Sequence, residues 1–291
     1  MRRSAHVLVL SLLSGLACAA TDAAGDGSST TTSTTSGASS SSAGTSAADT
    51  STTGTTTTTA AESTSTGSPE PAPTRVLFIG NSYTFVNDLP AMIEAVADGA
   101  GHPLLTSMIA VGGATLADHV ANPEVTTTLA EGWDVVVVQG QSVEPITQPD
   151  VFVQGAVDLA AMVEIGTPDA AFVLYETWAR RAGDPVLDEL GMDAAQMQQA
   201  LTAGYADAAT ASMGTVAPVG QTWALALMQA PQIDLFAADG SHPSPAGTYL
   251  ASCVFFRAIA GNDAAAIDTV VEGIEAADAD ALESIADMLA P

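Results

Sequence analysis

Five short apolar runs constrain the fold more than any other feature of the chain. They are Val76-Leu77-Phe78-Ile79, Leu104 to Val111 (the weakest), Trp133 to Val138, Ala170 to Tyr175 and Thr215 to Val219. Their apolar character is continuous rather than alternating, which is the pattern of strands buried on both faces, as in parallel sheets. Between them lie helical stretches at Asp88 to Ala100, Pro123 to Glu131, Val151 to Ile165 and Asp193 to Met213. Asp88 is suited to cap the first of these, ahead of Leu89 and Pro90. Strand and helix in alternation require right-handed crossovers. The expected fold is therefore a three-layer α/β/α sandwich with about five parallel strands. Such a sheet places its ligand site beyond the carboxyl ends of its strands, so chemistry is to be sought just after Ile79, Val111, Val138 and Tyr175.

The chain divides into three by composition. Residues 1–20 read as an export signal, with Arg2 and Arg3 ahead of an apolar run from Val7 to Leu16 and then small residues. That run is too short for a bilayer, which takes about 20 helical residues. Ser14-Gly15-Leu16-Ala17-Cys18 resembles a lipobox, with Cys18 as the lipidation position; cleavage at a small-residue site without lipidation is the alternative. Residues 21–74 read as a disordered linker. From Gly27 to Ser68, 29 of 42 residues are Ser or Thr, and no apolar period exists to offset the entropy of ordering them. Residues 75–291 form the folded domain. The expected location is therefore exported, either lipid-anchored in the cell envelope or secreted.

Charge narrows the chemistry further. Five of the 33 acids and two of the six arginines precede residue 75, so the domain carries 28 acids and four arginines, a net charge of −24. Nucleic acid is excluded as a partner, an anionic substrate is disfavoured, and the only membrane association expected is through an N-terminal lipid. The absence of lysine removes Schiff-base chemistry and a P-loop. Two cysteines make no disulfide framework, and Asp118 with His119 lacks a third ligand at credible spacing, so neither a metal nor another cofactor is expected.

After the first strand comes Gly80-Asn81-Ser82-Tyr83-Thr84, a serine at a strand-to-helix turn beside helix-start N–H groups. Far along the chain stands Asp239-Gly240-Ser241-His242-Pro243. Beyond the signal the only histidines are His102, His119 and His242, and the spacing of Asp239 and His242 lets a carboxylate reach Nδ1 while leaving Nε2 for a hydroxyl proton.

With these motifs the chain resembles the SGNH (GDSL-type) serine hydrolase superfamily, from Arg75 to about Gly261. Gly80-Asn81-Ser82 is similar to its first block, with Asn81 where Asp is commoner, and Asp239-Gly240-Ser241-His242 to its last. The resemblance implies a flavodoxin-like sheet, Ser82 as nucleophile, His242 as general base and then acid, and Asp239 orienting the imidazole. It also implies an oxyanion hole from Ser82, from Gly113 in Val111-Gly112-Gly113, and from Gln141, which stands where the family has asparagine.

Trp178 and Arg180 follow the fourth strand. They are candidates for a platform stacking on a sugar or acyl group and for an oxygen ligand, against a core Trp with a surface Arg. Tyr83 contacts substrate or packs the turn; His119 lines the pocket or sits on the surface at a helix end; Cys253 is a packing residue. The expected function is a serine esterase acting through an acyl-enzyme on an uncharged carboxylic ester, a small acyl group on a carbohydrate being the expected form. The alternatives are a non-catalytic glycan-binding module of the same fold and an acyltransferase using the same residues.

Overall fold

The computed structural model describes residues 72–261, 267 and 273–289, all within one of the two units of the chain, Ser65–Pro291. The export signal, Cys18 and nearly all of the Ser/Thr-rich linker lie outside the described residues. Five strands, β1 (Thr74–Gly80), β2 (Leu104–Ala110), β3 (Val135–Val138), β4 (Ala171–Tyr175) and β5 (Thr215–Ala217), form one parallel sheet in the order β2-β1-β3-β4-β5.

Because side chains alternate across a pleated strand, each apolar run supplies both faces of the sheet. Val76, Phe78, Val135, Val137, Val173 and Tyr175 join one core, which is closed by helices Leu89–Gly99, Val219–Gln229, Pro245–Ala260 and Ala276–Ala286. Leu77, Ile79, Val136, Val138 and Leu174 join the other, closed by Leu116–Val120, Pro123–Leu129, Pro149–Gly166 and Ala194–Ser212. This double burial is why the runs are continuous, and it makes the three-layer sandwich. β2 is the weakest run because it is an edge strand, with Leu105 and Met108 exposed.

The sheet order fixes the site. Crossovers leave β1 and β3 for opposite faces, so the carboxyl ends of β1, β2 and β3 open a crevice between their loops. Gly80 ends β1 at a point where no side chain fits: a methyl group there would run into Thr84 Oγ1 and Gln139 Oε1. Residues 276–289 of the acidic C-terminal stretch pack as a helix and a short 3₁₀ turn, with Leu282 and Ile285 in the first core and Arg257 Nη1 donating to Ala286 O at 3.1 Å. Cys253 is fully buried in that core.

Candidate active site

The serine turn is built from backbone demands. The short helix Ser82–Phe85 is capped by Asn81, whose Oδ1 accepts the Tyr83 N–H at 3.2 Å. The same side chain is a buried knot between three loops. Its Nδ2 donates to Ala114 O at 3.0 Å and Gly140 O at 3.1 Å, while its backbone N–H donates to Gln139 Oε1 at 3.0 Å. Thr84 Oγ1 donates to that same oxygen at 3.0 Å. The loops after β1, β2 and β3 are thus locked together beneath Ser82, whose capping is supplied by its neighbour. Sequence reasoning missed Gln139. Its signal was a polar residue placed directly after a fully buried strand, where every hydrogen-bonding group must find a partner.

The base arrives from the other end of the chain. Asp239 to Pro243 form a compact loop: Gly240 has φ +70° and donates its N–H to Ala237 O at 3.1 Å, Ala237 N–H donates to His242 O at 2.8 Å, and Phe236 bridges Pro243. His242 Nε2 lies 2.8 Å from Ser82 Oγ, and its Nδ1 lies 2.5 Å from Asp239 Oδ2. The other carboxylate oxygen, Oδ1, accepts the N–H groups of Ser241 (2.9 Å) and His242 (3.0 Å). Desolvation pushes the Asp239 carboxyl up, but the His242 ring and these two backbone donors outweigh it and hold the group down at about 2. Asp239 is therefore an anion at any neutral pH. Nδ1–H donates to it, and in the neutral ring the Nε2 lone pair then faces the serine hydroxyl.

Ser82, His242 and Asp239 are thus brought together in a line. The N–H of Ser82 belongs to the first turn of its helix, where backbone donors have no intrahelical partner. Among the described residues neither it nor the Gly113 N–H has an acceptor. Gln141 is half-buried, and its loop decides how its amide lies: Oε1 accepts the Val143 N–H at 2.8 Å, and its own N–H donates to Glu144 Oε2 at 3.2 Å. Val111, Gly113, Ala114, Asp118 and Asn122 line a depression of about 340 Å³ beside the glycine loop.

Three expectations about flanking residues need correction. Trp178 is not a platform: it is 1% exposed, stacked on Tyr83 (4.6 Å, 6° between planes) and on Trp223 (4.0 Å, 7°), with Nε1 donating to Ser241 O at 3.0 Å. Arg180 is neither a bare surface cation nor spent on one oxygen. It donates from Nη1 to Tyr83 OH at 2.6 Å and from Nη2 to Ser142 Oγ at 2.7 Å, joining the nucleophile turn to the loop after β3. His119 is not at the surface: it is buried in the wall of the depression beside the glycine loop, as the pocket-lining alternative expected, with its Nε2–H donating to Gly80 O at 2.8 Å. Desolvation pushes its ring below the ordinary histidine value, against the Gly80 hydrogen bond and the charge of Asp118, so it stays neutral in that bond. Tyr83 is 3% exposed and packs the turn, with its phenol raised by burial although Arg180 pulls the other way.

The Trp178 sandwich makes a stability prediction. Trp178→Ala should lower unfolding free energy by about 3–5 kcal/mol, the usual cost of emptying a buried Trp site. Trp178→Phe, which keeps one ring of the stack but loses part of the indole volume and the bond to Ser241, should cost clearly less. Denaturant midpoints measure both, and equal small losses would show that the site collapses without cost.

No family profile matches the chain, and no curated protein matches it. Solved structures do. A protein assigned to the SGNH hydrolases, from Slackia heliotrinireducens, is 33% identical with a TM-score of 0.56, and the match covers 64% of this chain and 98% of that one. A DUF4886 family protein from Bacteroides uniformis superimposes at a TM-score of 0.63 with 19% identity, over 75% of this chain and 94% of its own. A GDSL-like lipase from Parabacteroides merdae gives 0.53 and 16% over 65% and 96%. The chain belongs to the SGNH hydrolase superfamily.

Proposed function

We propose that the protein is a serine ester hydrolase working through an acyl-enzyme on an uncharged carboxylic ester, exported and held at the cell envelope through Cys18 or released. The observation that carries this reading is the line Ser82 Oγ, His242 Nε2, His242 Nδ1, Asp239 Oδ2, with separations of 2.8 and 2.5 Å. In that line Ser82 Oγ attacks the ester carbonyl carbon as its proton passes to Nε2. The developing oxyanion is held by the N–H groups of Ser82 and Gly113, with the Gln141 amide a third candidate. His242 then protonates the departing alcohol. Water, losing its proton to Nε2, hydrolyses the acyl-serine to the free acid and restores the hydroxyl.

The depression beside Gly113 has room for a small acyl group, and the domain charge of −24 favours a neutral ester. A small acyl ester on a carbohydrate remains the proposed form, on the ground of the exported location alone, since the buried Trp178 gives it no support.

A fluorophosphonate probe tests the proposal. Covalent labelling of folded wild type that disappears in Ser82→Ala is the expected result. Folded protein that neither labels nor cleaves p-nitrophenyl acetate would replace the hydrolase with a non-catalytic binding module. Transfer of the acyl group to added sugars in preference to water would make it an acyltransferase.

A further inference from the structure

Ser82 and His242 are separated by 160 positions, and the base stands on a loop whose side chains are partly open to solvent: 34% exposed for His242 and 50% for Asp239. The hydrogen bonds inside that loop shape it but do not register it against the serine. Two contacts from the serine turn do, one on each side of the imidazole. Tyr83, next to the nucleophile, places its hydroxyl 2.7 Å from the Oγ of Ser241, next to the base. Asn87, at the end of the same turn, donates from Nδ2 to the carbonyl of Pro243, the residue after the base, at 3.1 Å, and to Thr248 Oγ1 at 2.9 Å. Among the described residues these are the only hydrogen bonds joining residues 81–88 to residues 237–243 apart from Ser82–His242 itself.

Resting on the hydrolase reading above, we propose that Tyr83 and Asn87 are positioning residues that clamp the His242 loop onto the nucleophile turn and so set the Ser82–His242 distance.

The partners of each group hold the clamp in place. Arg180 donates to the Tyr83 oxygen, and the phenol hydroxyl shares a second hydrogen bond with Ser241 Oγ in which either oxygen can donate. The phenol ring is itself fixed, stacked on Trp178 and lying edge-on to the His242 ring at 5.5 Å. Trp178 holds the same serine from its other polar end by donating to Ser241 O. Ser241 is thus held through both its side chain and its carbonyl by residues from two different segments, the serine turn and the loop after β4. On the far side, Asn87 and Asp88 both adopt left-handed backbone, with φ of +58° and +53°. Non-glycine residues take up that conformation where surrounding contacts repay it, and Asn tolerates it better than most. At Asn87 the contacts are the two bonds of its amide. The Tyr83 contact acts through another residue's geometry, and neither Tyr83 nor Asn87 exchanges a proton in the proposed reaction.

The test is kinetic on the full chain, with p-nitrophenyl acetate as substrate and the fluorophosphonate labelling rate as a second readout. Tyr83→Phe deletes one hydroxyl and should lower kcat about 10- to 100-fold, the loss that follows displacement of a catalytic group by around an ångström, with KM within about twofold. Ser241→Ala, which leaves the Arg180 bond to Tyr83 in place, should lower kcat by as much or less, and the double variant should be no slower than Tyr83→Phe, because the bond Ser241→Ala removes is already lost there. Ser241→Thr, which keeps a hydroxyl, should restore most of the rate. Asn87→Gly removes the amide while permitting the left-handed backbone, and should lower kcat about tenfold.

Amide hydrogen exchange of residues 237–243 should quicken in Tyr83→Phe and in Asn87→Gly, a readout that does not depend on activity. Unchanged kcat and unchanged exchange in both, or additive losses in Tyr83→Phe and Ser241→Ala, would overturn the clamp. If Tyr83→Phe fails to fold, Ser241→Ala at its half-buried position reads the same bond. Wild type that neither labels nor turns over defeats the hydrolase reading; active wild type with unaffected variants defeats only the clamp.

Discussion

Ser82→Ala and His242→Ala are each expected to lower kcat on p-nitrophenyl acetate by a factor on the order of 10⁴–10⁶, and the double variant by no more than the worse of the two. Residues that act as one proton-transfer unit lose the whole of its contribution when either is removed. Among the described residues the Ser82 hydroxyl has a single proton acceptor in reach, His242 Nε2 at 2.8 Å, and without it the attack would need a bare alcohol. The alanine variant should fold normally. The cap of the Ser82–Phe85 helix is the Asn81 side chain, and the buried knot below it uses Asn81, Thr84 and Gln139, so no structural bond depends on the missing hydroxyl. Activity of Ser82→Ala within tenfold of wild type, with an unchanged unfolding midpoint, would remove Ser82 from the chemistry. Losses that multiply in the double variant would mean that serine and histidine act separately.

How much could be read from the chain alone follows from what each residue needs to know. The sheet was legible because burial on both faces imprints continuous apolar runs, and β1, β3 and β4 fall within a residue or two of those runs. The ends were less clear. Val219, taken as the close of the fifth run, starts the helix Val219–Gln229, because Pro218 interrupts the strand after Ala217. The helix Pro245–Ala260 is buried continuously from Gly247 to Phe256, so in the sequence it shows as an apolar helical run around Cys253, Tyr249 to Phe256, whose ends no amphipathic period marks. Helices of four to six residues such as Glu144–Thr147 and Pro185–Leu190 are too short to show a period at all.

The same distinction runs through the site. Ser82, Asp239 and His242 were legible because a nucleophile and a base must sit in loops at strand ends, and histidines are few in this chain. Trp178 occupies an equally exposed-looking position after β4, and its sequence neighbours carry no sign of the stack it makes. That stack depends on Tyr83 and Trp223, 95 positions before it and 45 after it, and only tertiary contact brings them together. His119 is a similar case. Its helix is short and its neighbour Asp118 exposed, yet the ring turns inward to Gly80 O, one strand away in the sheet. Asn81 and Gln139 show a third kind of blindness: both were visible as polar residues at strand ends, but which loops they would tie together was set by the order β2-β1-β3, which places all three loops side by side.

Asp239→Asn should separate orientation of the base from its presence, and is expected to lower kcat by about 10⁴ with little change in KM. The wild-type carboxylate has no hydrogen to give. It accepts from Nδ1–H on one oxygen and from two backbone N–H groups on the other, so it admits only the tautomer whose Nε2 lone pair faces Ser82. An asparagine must split these duties. If its carbonyl stays with the backbone N–H groups of Ser241 and His242, its NH₂ meets Nδ1 and favours the tautomer with the proton on Nε2. The imidazole then keeps its place and offers the serine a donor where an acceptor is needed. The loop geometry should survive, since both backbone bonds remain, and exchange of residues 237–243 should stay near wild type.

The pH dependence has a definite sign. The Asp239 carboxyl titrates at about 2 when folded against an ordinary 3.8, so its contribution to loop stability is full above that ordinary value and is lost as pH falls from there through 2. Between pH 5 and 9 wild-type Asp239 is always ionised, so within that window no titration of the aspartate enters the comparison, and the loss in Asp239→Asn reports the changed partner for Nδ1 together with the removed negative charge. Asp239→Asn with kcat within tenfold of wild type across that range would show that the imidazole takes its orientation from elsewhere in the loop, and the proposed triad would reduce to a serine and a histidine.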